Sequence, residues 1–349
     1  MRKAFLLFCL LLPFAGRSQA PLADKLGIAR IEYIFALKPL VNEVIWPGFS
    51  NARCDVPLIY YTENHCLIAN PTPKFLRRYR PFLVAQQGRL KIYKLPRLLD
   101  KKPFHMETGT ELSPEDSGHY AYRSPFMHCS SFEITHRTIP NVDFTEQWVS
   151  MIIHEYFHGF QFQHKPFLDY FGAHLAYFKG DSLKRIYKSD PKFKESVDGE
   201  NELLLTALGT PSRESVQPLL DSFFALRARR RQQFGDSLHF DIAPYEKAYE
   251  TLEGTARYVE WRLYSLFADK APSAALHQLD TAYGSYTYFR NYTLEQDPWL
   301  YQTAKTSYYY AIGFNMARLL DKLGVDYKSR LFKEGGLSLE AVLADYLRK

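Results

Sequence analysis

The sequence predicts an α+β fold in which a small N-terminal sheet is followed by a mainly helical region. Three observations carry this. Between about 21 and 142, apolar residues fall in short alternating runs broken by turn residues. From Asp143 onward they recur at three- and four-residue spacing. With 349 residues, the chain is also long enough for one large or two ordinary domains.

The first twenty residues open on Arg2 and Lys3, continue through the apolar stretch from Ala4 to Ala15, and close on Gly16-Arg17-Ser18-Gln19-Ala20. This is the layout of a secretory signal peptide, so residues 1–20 are expected to be removed and the mature chain to be secreted or periplasmic. No later stretch approaches the roughly 18 apolar residues of a spanning helix, so no stable membrane span is expected after cleavage. The formal charge of +6 includes Arg2, Lys3 and Arg17 of the leader. What remains is nearly neutral for this length and makes no case for nucleic acid. Cys54, Cys66 and Cys129 then form an odd set without a CxxC pair, which argues against a thiolate zinc site. Cys54 with Cys66 is the most local disulfide option.

Leu22 to Val44 reads as a helix. Val56 to Tyr61 and His65 to Ala69, separated by Thr62-Glu63-Asn64, read as a hairpin. Leu90 to Leu95 alternates cleanly, and Phe126 to Thr135 reads as a further strand whose edge is expected to pair with an extended peptide. Asp143-Phe144-Thr145-Glu146 has the form of a capping box opening a helix from about 144 to 163, with Trp148, Met151, Ile152, Tyr156 and Phe157 on its apolar side. Further helices are expected at Ser215 to Phe234, Tyr245 to Phe267, Tyr308 to Leu323 and Ser338 to Leu347. Arg227, Arg229, Arg230 and Arg231 read as a solvated face near a helix C-terminus, where the macrodipole favours cations. The high share of Tyr and Phe reads chiefly as core packing.

The chemistry lies in His154-Glu155-Tyr156-Phe157-His158. On a helix, the two imidazoles project from one face about a turn apart, the spacing that holds a single zinc ion. Glu155 falls beside the metal, placed to take a proton from a water that the metal activates. Two histidines leave a catalytic zinc one protein ligand short. His164 reproduces the spacing of HExxHxxGxxH, but Gln161 stands where that pattern needs a turn-forming glycine. A glutamate on another helix is the alternative, with Glu253 first and Glu202 in reserve.

Glu253-Gly254-Thr255-Ala256-Arg257-Tyr258 resembles the Glu-Gly-x-Ala-x-Tyr segment with which gluzincin metallopeptidases supply their third zinc ligand. The resemblance implies a zincin-like fold with Glu253 as ligand. Gly254 and Ala256 would keep the helix slim as it approaches the first helix, and Glu250 would orient a histidine. Tyr308-Tyr309-Tyr310-Ala311-Ile312-Gly313 resembles the Tyr-x-Lys-Gly segment of aminopeptidase-type gluzincins, which implies that Tyr310 stabilises the oxyanion, although Ile312 replaces the family's lysine. The order of the three segments agrees with that family. The spacing departs from it, because 94 residues separate His158 from Glu253 and imply an inserted helical segment at about 165–244. The Gly-x-Met-Glu-Asn element is absent, so aminopeptidase specificity is not inherited.

The expectation is therefore an N-terminal mixed region at 21–142 and a mainly helical zinc-peptidase region at 143–349. One Zn²⁺ is held by His154, His158 and Glu253, Glu155 is the general base, Tyr310 the electrophilic partner, and the substrate a peptide or protein. Two rivals keep other roles open: a zinc hydrolase acting on a non-peptide substrate, and an exported non-enzymatic protein that binds peptide or glycan through the aromatic stretch from Tyr283 to Tyr310. A zincin that keeps its metal for stability alone is a third.

Overall fold

Helix α1 (Leu22–Val44) buries Ile31, Ile34, Leu37 and Val41 along one side, which is the stripe a 3.6-residue period produces. The computed structural model describes residues 22–51, 56–109, 126–176, 179–212, 214–269 and 272–348. The expected leader and Cys54 lie outside them. Arg30 on the same helix is also buried. Its Nε and Nη2 donate side-on to Asp280 at 2.7 and 2.9 Å, and its Nη1 donates to Glu133 at 2.7 Å.

Among the described residues six strands form one sheet: β1 (Leu58–Tyr61), β2 (Cys66–Ala69), β3 (Phe82–Gln87), β4 (Leu90–Leu95), β5 (Met106–Gly109) and β6 (Phe126–Ser130). Their order is β3-β4-β2-β1-β6-β5, antiparallel except where β1 runs parallel to β6. Strand alternation divides the side chains between two faces. Leu58, Tyr60, Leu67, Met127 and Cys129 join the main core, while Ile59, Tyr61, Cys66 and Ile68 join a smaller cluster on the other side. Cys66 and Cys129 are thus buried free thiols on opposite faces.

The expected strand from Phe126 to Thr135 ends at Ser130. Ser131 caps a short helix, α3 (Phe132–Thr138), by accepting from Ile134 N, the kind of cap that ends strand pairing and starts a helix. β6 is also an interior strand, so it offers no free edge. The sheet's edges belong to β3 and to β5, and the sequence pattern does not reveal β5. Helix α2 (Pro73–Tyr79) and β3 also escape it.

Ten more helices follow among the described residues: α4 (Thr145–Phe162), α5 (Lys165–Ala176), α6 (Gly180–Ser189), α7 (Pro191–Gly209), α8 (Gln217–Leu238), α9 (Ile242–Asp269), α10 (Ala274–Leu279), α11 (Pro298–Tyr301), α12 (Tyr308–Lys322) and α13 (Leu339–Leu347). The α4 cap differs from the expected one. Gln147 Oε1 accepts from Asp143 N and Phe144 N, whereas Glu146 is buried and accepts from Gly284 N and Tyr286 N. Helix α9 runs through the middle, with α4 on one side and α12 on the other. It crosses α12 where Gly254 meets Gly313 backbone to backbone; a Cβ on Gly254 would lie 2.3 Å from the Gly313 carbonyl carbon. The slimness of α9 at Gly254 therefore serves α12, not α4.

The arginine run of α8 is not a solvated face. Arg227 and Arg230 are buried and Arg231 nearly so, locked against Glu200 of α7, Glu246 and Glu250 of α9 and Glu340 of α13. Arg229 alone of the four is exposed. Each of the three buried guanidiniums has its charge neutralised by carboxylates from neighbouring helices, the condition under which a cation survives burial. The aromatic stretch proposed as a binding surface is mostly interior too: Tyr283, Tyr286, Phe289, Tyr308 and Tyr309 are buried, and Tyr288 is exposed.

Candidate metal centre

Packing of α4 against α9 brings the two separated motifs together. One ligating atom from each of His154, His158 and Glu253 lies within 4.8 Å of the others. The Nε2 atoms of the histidines are 3.1 Å apart, and Glu253 Oε2 stands 3.2 Å from that of His158 and 3.6 Å from that of His154. Zinc bonds of about 2.0–2.1 Å arranged tetrahedrally place ligand atoms about 3.3 Å apart, so the three atoms are spaced for one such ion. Glu253 Oε2 is also buried with no hydrogen-bond partner. An orphaned carboxylate oxygen facing two imidazole nitrogens is a costly arrangement unless a cation shares it. The residues present therefore fit zinc.

Each histidine is held from behind. His158 Nδ1 donates to Gln161 Oε1 at 2.8 Å, which leaves Nε2 to face the site. Gln161 is itself fixed, its Nε2 donating to Leu252 O and Thr255 Oγ1 of α9 at 2.8 Å each. His154 Nδ1 lies 3.3 Å from Glu260 Oε2, without the alignment of a hydrogen bond. The orienting carboxylate is thus Glu260 and not Glu250, which is bound to Arg227. Neither role is visible in the motif alone. Gln161 lies three residues beyond His158 and Glu260 seven beyond Glu253, each on the same helix face as its ligand. That spacing is the signal that could have found them.

The electrostatics agree with the contacts. Burial by itself would pull His154 down, but Glu253 and Glu260 overcome it and push it up to about 9. Burial would raise Glu253, yet the two imidazoles hold it well below the usual carboxylate range. Glu155 is not part of the ligand triad. Burial raises its carboxyl against the pull of both histidines, as suits a group that must accept and return a proton. Its Oε2 accepts from Thr108 N at 3.2 Å, and Thr108 Oγ1 donates to its backbone carbonyl. Strand β5 therefore runs beside the motif.

The three tyrosines of α12 separate by role. Tyr308 donates to Glu246 Oε1 at 2.5 Å within the buried charge network, and Tyr309 packs on Tyr249. Tyr310 is half-buried beside the Glu253 carboxylate, and burial followed by that carboxylate raises its hydroxyl well above the usual phenol value. The Glu253 carboxylate raises Tyr309 too, but for Tyr310 it comes next after burial. The reserve ligands are elsewhere. His164 Nδ1 donates to the Phe160 carbonyl at 2.8 Å, and Glu202 points to solvent. Comparison with protein-family models, with curated proteins and with solved structures finds no match for this chain.

Proposed function

We propose that the chain is an exported zinc metallopeptidase of gluzincin type, with His154, His158 and Glu253 as ligands. The observation that carries this reading is the buried, unpartnered Glu253 Oε2 set against two imidazole Nε2 atoms at zinc-ligand spacing. A zinc ion held there supplies a water of lowered pKa and a Lewis acid for the scissile carbonyl. Glu155 takes the proton from the attacking water and passes it to the leaving nitrogen. The Tyr310 hydroxyl donates to the carbonyl oxygen as negative charge gathers on it. Gln161 and Glu260 hold the histidine rings in place. The edge strand β5, whose Thr108 N–H reaches Glu155, is where an extended peptide would add as a further strand. No helix of the described residues is long and apolar enough to cross a membrane.

Elemental mass spectrometry on the purified mature protein, beside Glu253→Ala and Glu155→Gln, tests the reading. About one zinc per chain is expected in the wild type and in Glu155→Gln, and much less in Glu253→Ala. On a peptide library, only the wild type should cleave. Full zinc in Glu253→Ala would remove that ligand. Undiminished cleavage by Glu155→Gln would remove the general base.

A further inference from the structure

Arg257 lies on α9 one turn beyond Glu253, about 6 Å along the axis. Its guanidinium is stacked against Trp299 of α11 at 4.3 Å and Tyr310 at 5.1 Å. Those aromatic contacts fix its plane and contribute cation–π attraction. Only one of its nitrogens is engaged by the described residues: Nη1 donates to Glu260 Oε2 at 3.1 Å. Nε is buried without a partner, and no described group accepts from Nη2.

Among the described residues, four more deeply buried guanidiniums leave no nitrogen idle. Arg30 uses its Nε and Nη2 side-on against Asp280 and its Nη1 on Glu133. Arg227, Arg230 and Arg231 likewise engage all three nitrogens with carboxylates. Arg257 holds its side-on pair of donors in reserve, and this pair is the one Arg30 uses to grip a carboxylate; half-buried Arg318 on α12 also engages only Nη1, with Asn315 Oδ1 at 2.9 Å, but Arg257 is the one set a turn beyond Glu253. Its side chain is 19% exposed, beside ligands that are themselves slightly open to solvent. A rigid pair of parallel N–H donors matches a carboxylate in both shape and charge, which a lysine at the same place does not.

We infer that Arg257 anchors a carboxylate of the substrate, setting a preference for peptides that carry a free C-terminal carboxylate or an acidic side chain close to the scissile bond. This rests on the metallopeptidase reading. In it Arg257 is a specificity-determining residue, and Glu260 keeps the other edge of the guanidinium turned away from the substrate.

The test is binding by calorimetry to zinc-loaded wild type, Arg257→Gln and Arg257→Lys, with zinc content measured on each. Three peptide hydroxamates serve as probes: one ending in a free carboxylate, its C-terminal amide, and an amide with Asp beside the hydroxamate. The wild type should bind a carboxylate-bearing probe about tenfold more tightly than the neutral amide, the worth of about one charge-assisted contact. Arg257→Gln should bring the two within about twofold at unchanged zinc content, with Arg257→Lys between them. Preference for the first probe identifies the chain terminus as the source, and preference for the third identifies a side chain. Equal binding of all three by the wild type, or a preference that survives Arg257→Gln, would overturn the inference while leaving the metal centre intact. Loss of zinc from Arg257→Gln would overturn it as well, by making Arg257 a support for Glu260 and His154. If no hydroxamate distinguishes zinc-loaded from chelator-treated protein, the metallopeptidase reading fails and this inference falls with it.

Discussion

Replacing Gly313 by Ala sets two effects of opposite sign against each other. On helix propensity alone the change stabilises α12 by up to about 1 kcal/mol, because alanine loses less conformational freedom. The crossing with α9 says otherwise. A Cβ at 313 would lie 2.1 Å from the Glu250 carbonyl oxygen and 2.8 Å from its carbon, where real Cβ contacts essentially never fall below 3.0 Å. Reaching that limit requires α9 and α12 to part by about 1 Å, since the obstacle is backbone and no rotamer can relieve it. Overpacking of this kind costs about 1–3 kcal/mol or more, so after the propensity gain a net loss of about 2 kcal/mol is expected. In thermal unfolding followed by circular dichroism, this is a Tm lower by about 3 °C for a chain of this length. Gly235→Ala in α8 is the matched control, since its Cβ would meet nothing closer than the Phe240 carbonyl at 3.8 Å; it should raise Tm slightly. A Gly313→Ala protein at least as stable as the wild type would refute the close crossing. That crossing also sets α12, and with it Tyr310, against α9 and Glu253.

Four other outcomes are expected. Gln161→Leu should weaken zinc affinity by about 10–100-fold in a chelator competition, because His158 loses the acceptor that orients it; unchanged affinity would make Gln161 a packing residue. Tyr310→Phe should keep its zinc and lose about 10²–10³ in kcat, and full activity would return the hydroxyl to a structural role. Arg230→Met should cost about 3–5 kcal/mol in urea unfolding, since it leaves Glu200 and Glu246 buried with fewer cations. A change within about 0.5 kcal/mol would instead suit a solvated face. His128 gives a pH dependence. Burial, followed by His105, lowers it from 6.5 to about 4. Below about 6.5 the unfolded chain takes up a proton that the native state refuses, so stability falls as pH drops from about 6.5 to about 4, by about 3 kcal/mol at most. His128→Gln should flatten the stability curve in that window, and an unaltered curve would contradict the assignment.

The sequence by itself determined what short-range periodicity can carry. The helix bearing His154 and His158, the α9 and α12 helices, the β1–β2 hairpin and β4 are all legible because neighbours along the chain set the spacing of their apolar residues. Glu253 was legible across 94 residues only because Gly254 and Ala256 follow it in a segment resembling a known ligand helix. Tertiary structure decided the rest. Whether Arg230 meets water or Glu200, whether Glu250 or Glu260 stands behind His154, and whether β6 lies inside the sheet or at its edge depend on which faces pack together. Local pattern does not encode that pairing. Gly254 shows the limit most plainly. Its smallness is visible in the sequence, but the helix it makes room for is α12, and only the crossing at Gly313 reveals it. The same holds for Arg257: a charge on a helix in the sequence becomes, once Trp299 and Tyr310 close around it, a fixed pair of donors one turn from Glu253 of the candidate metal centre.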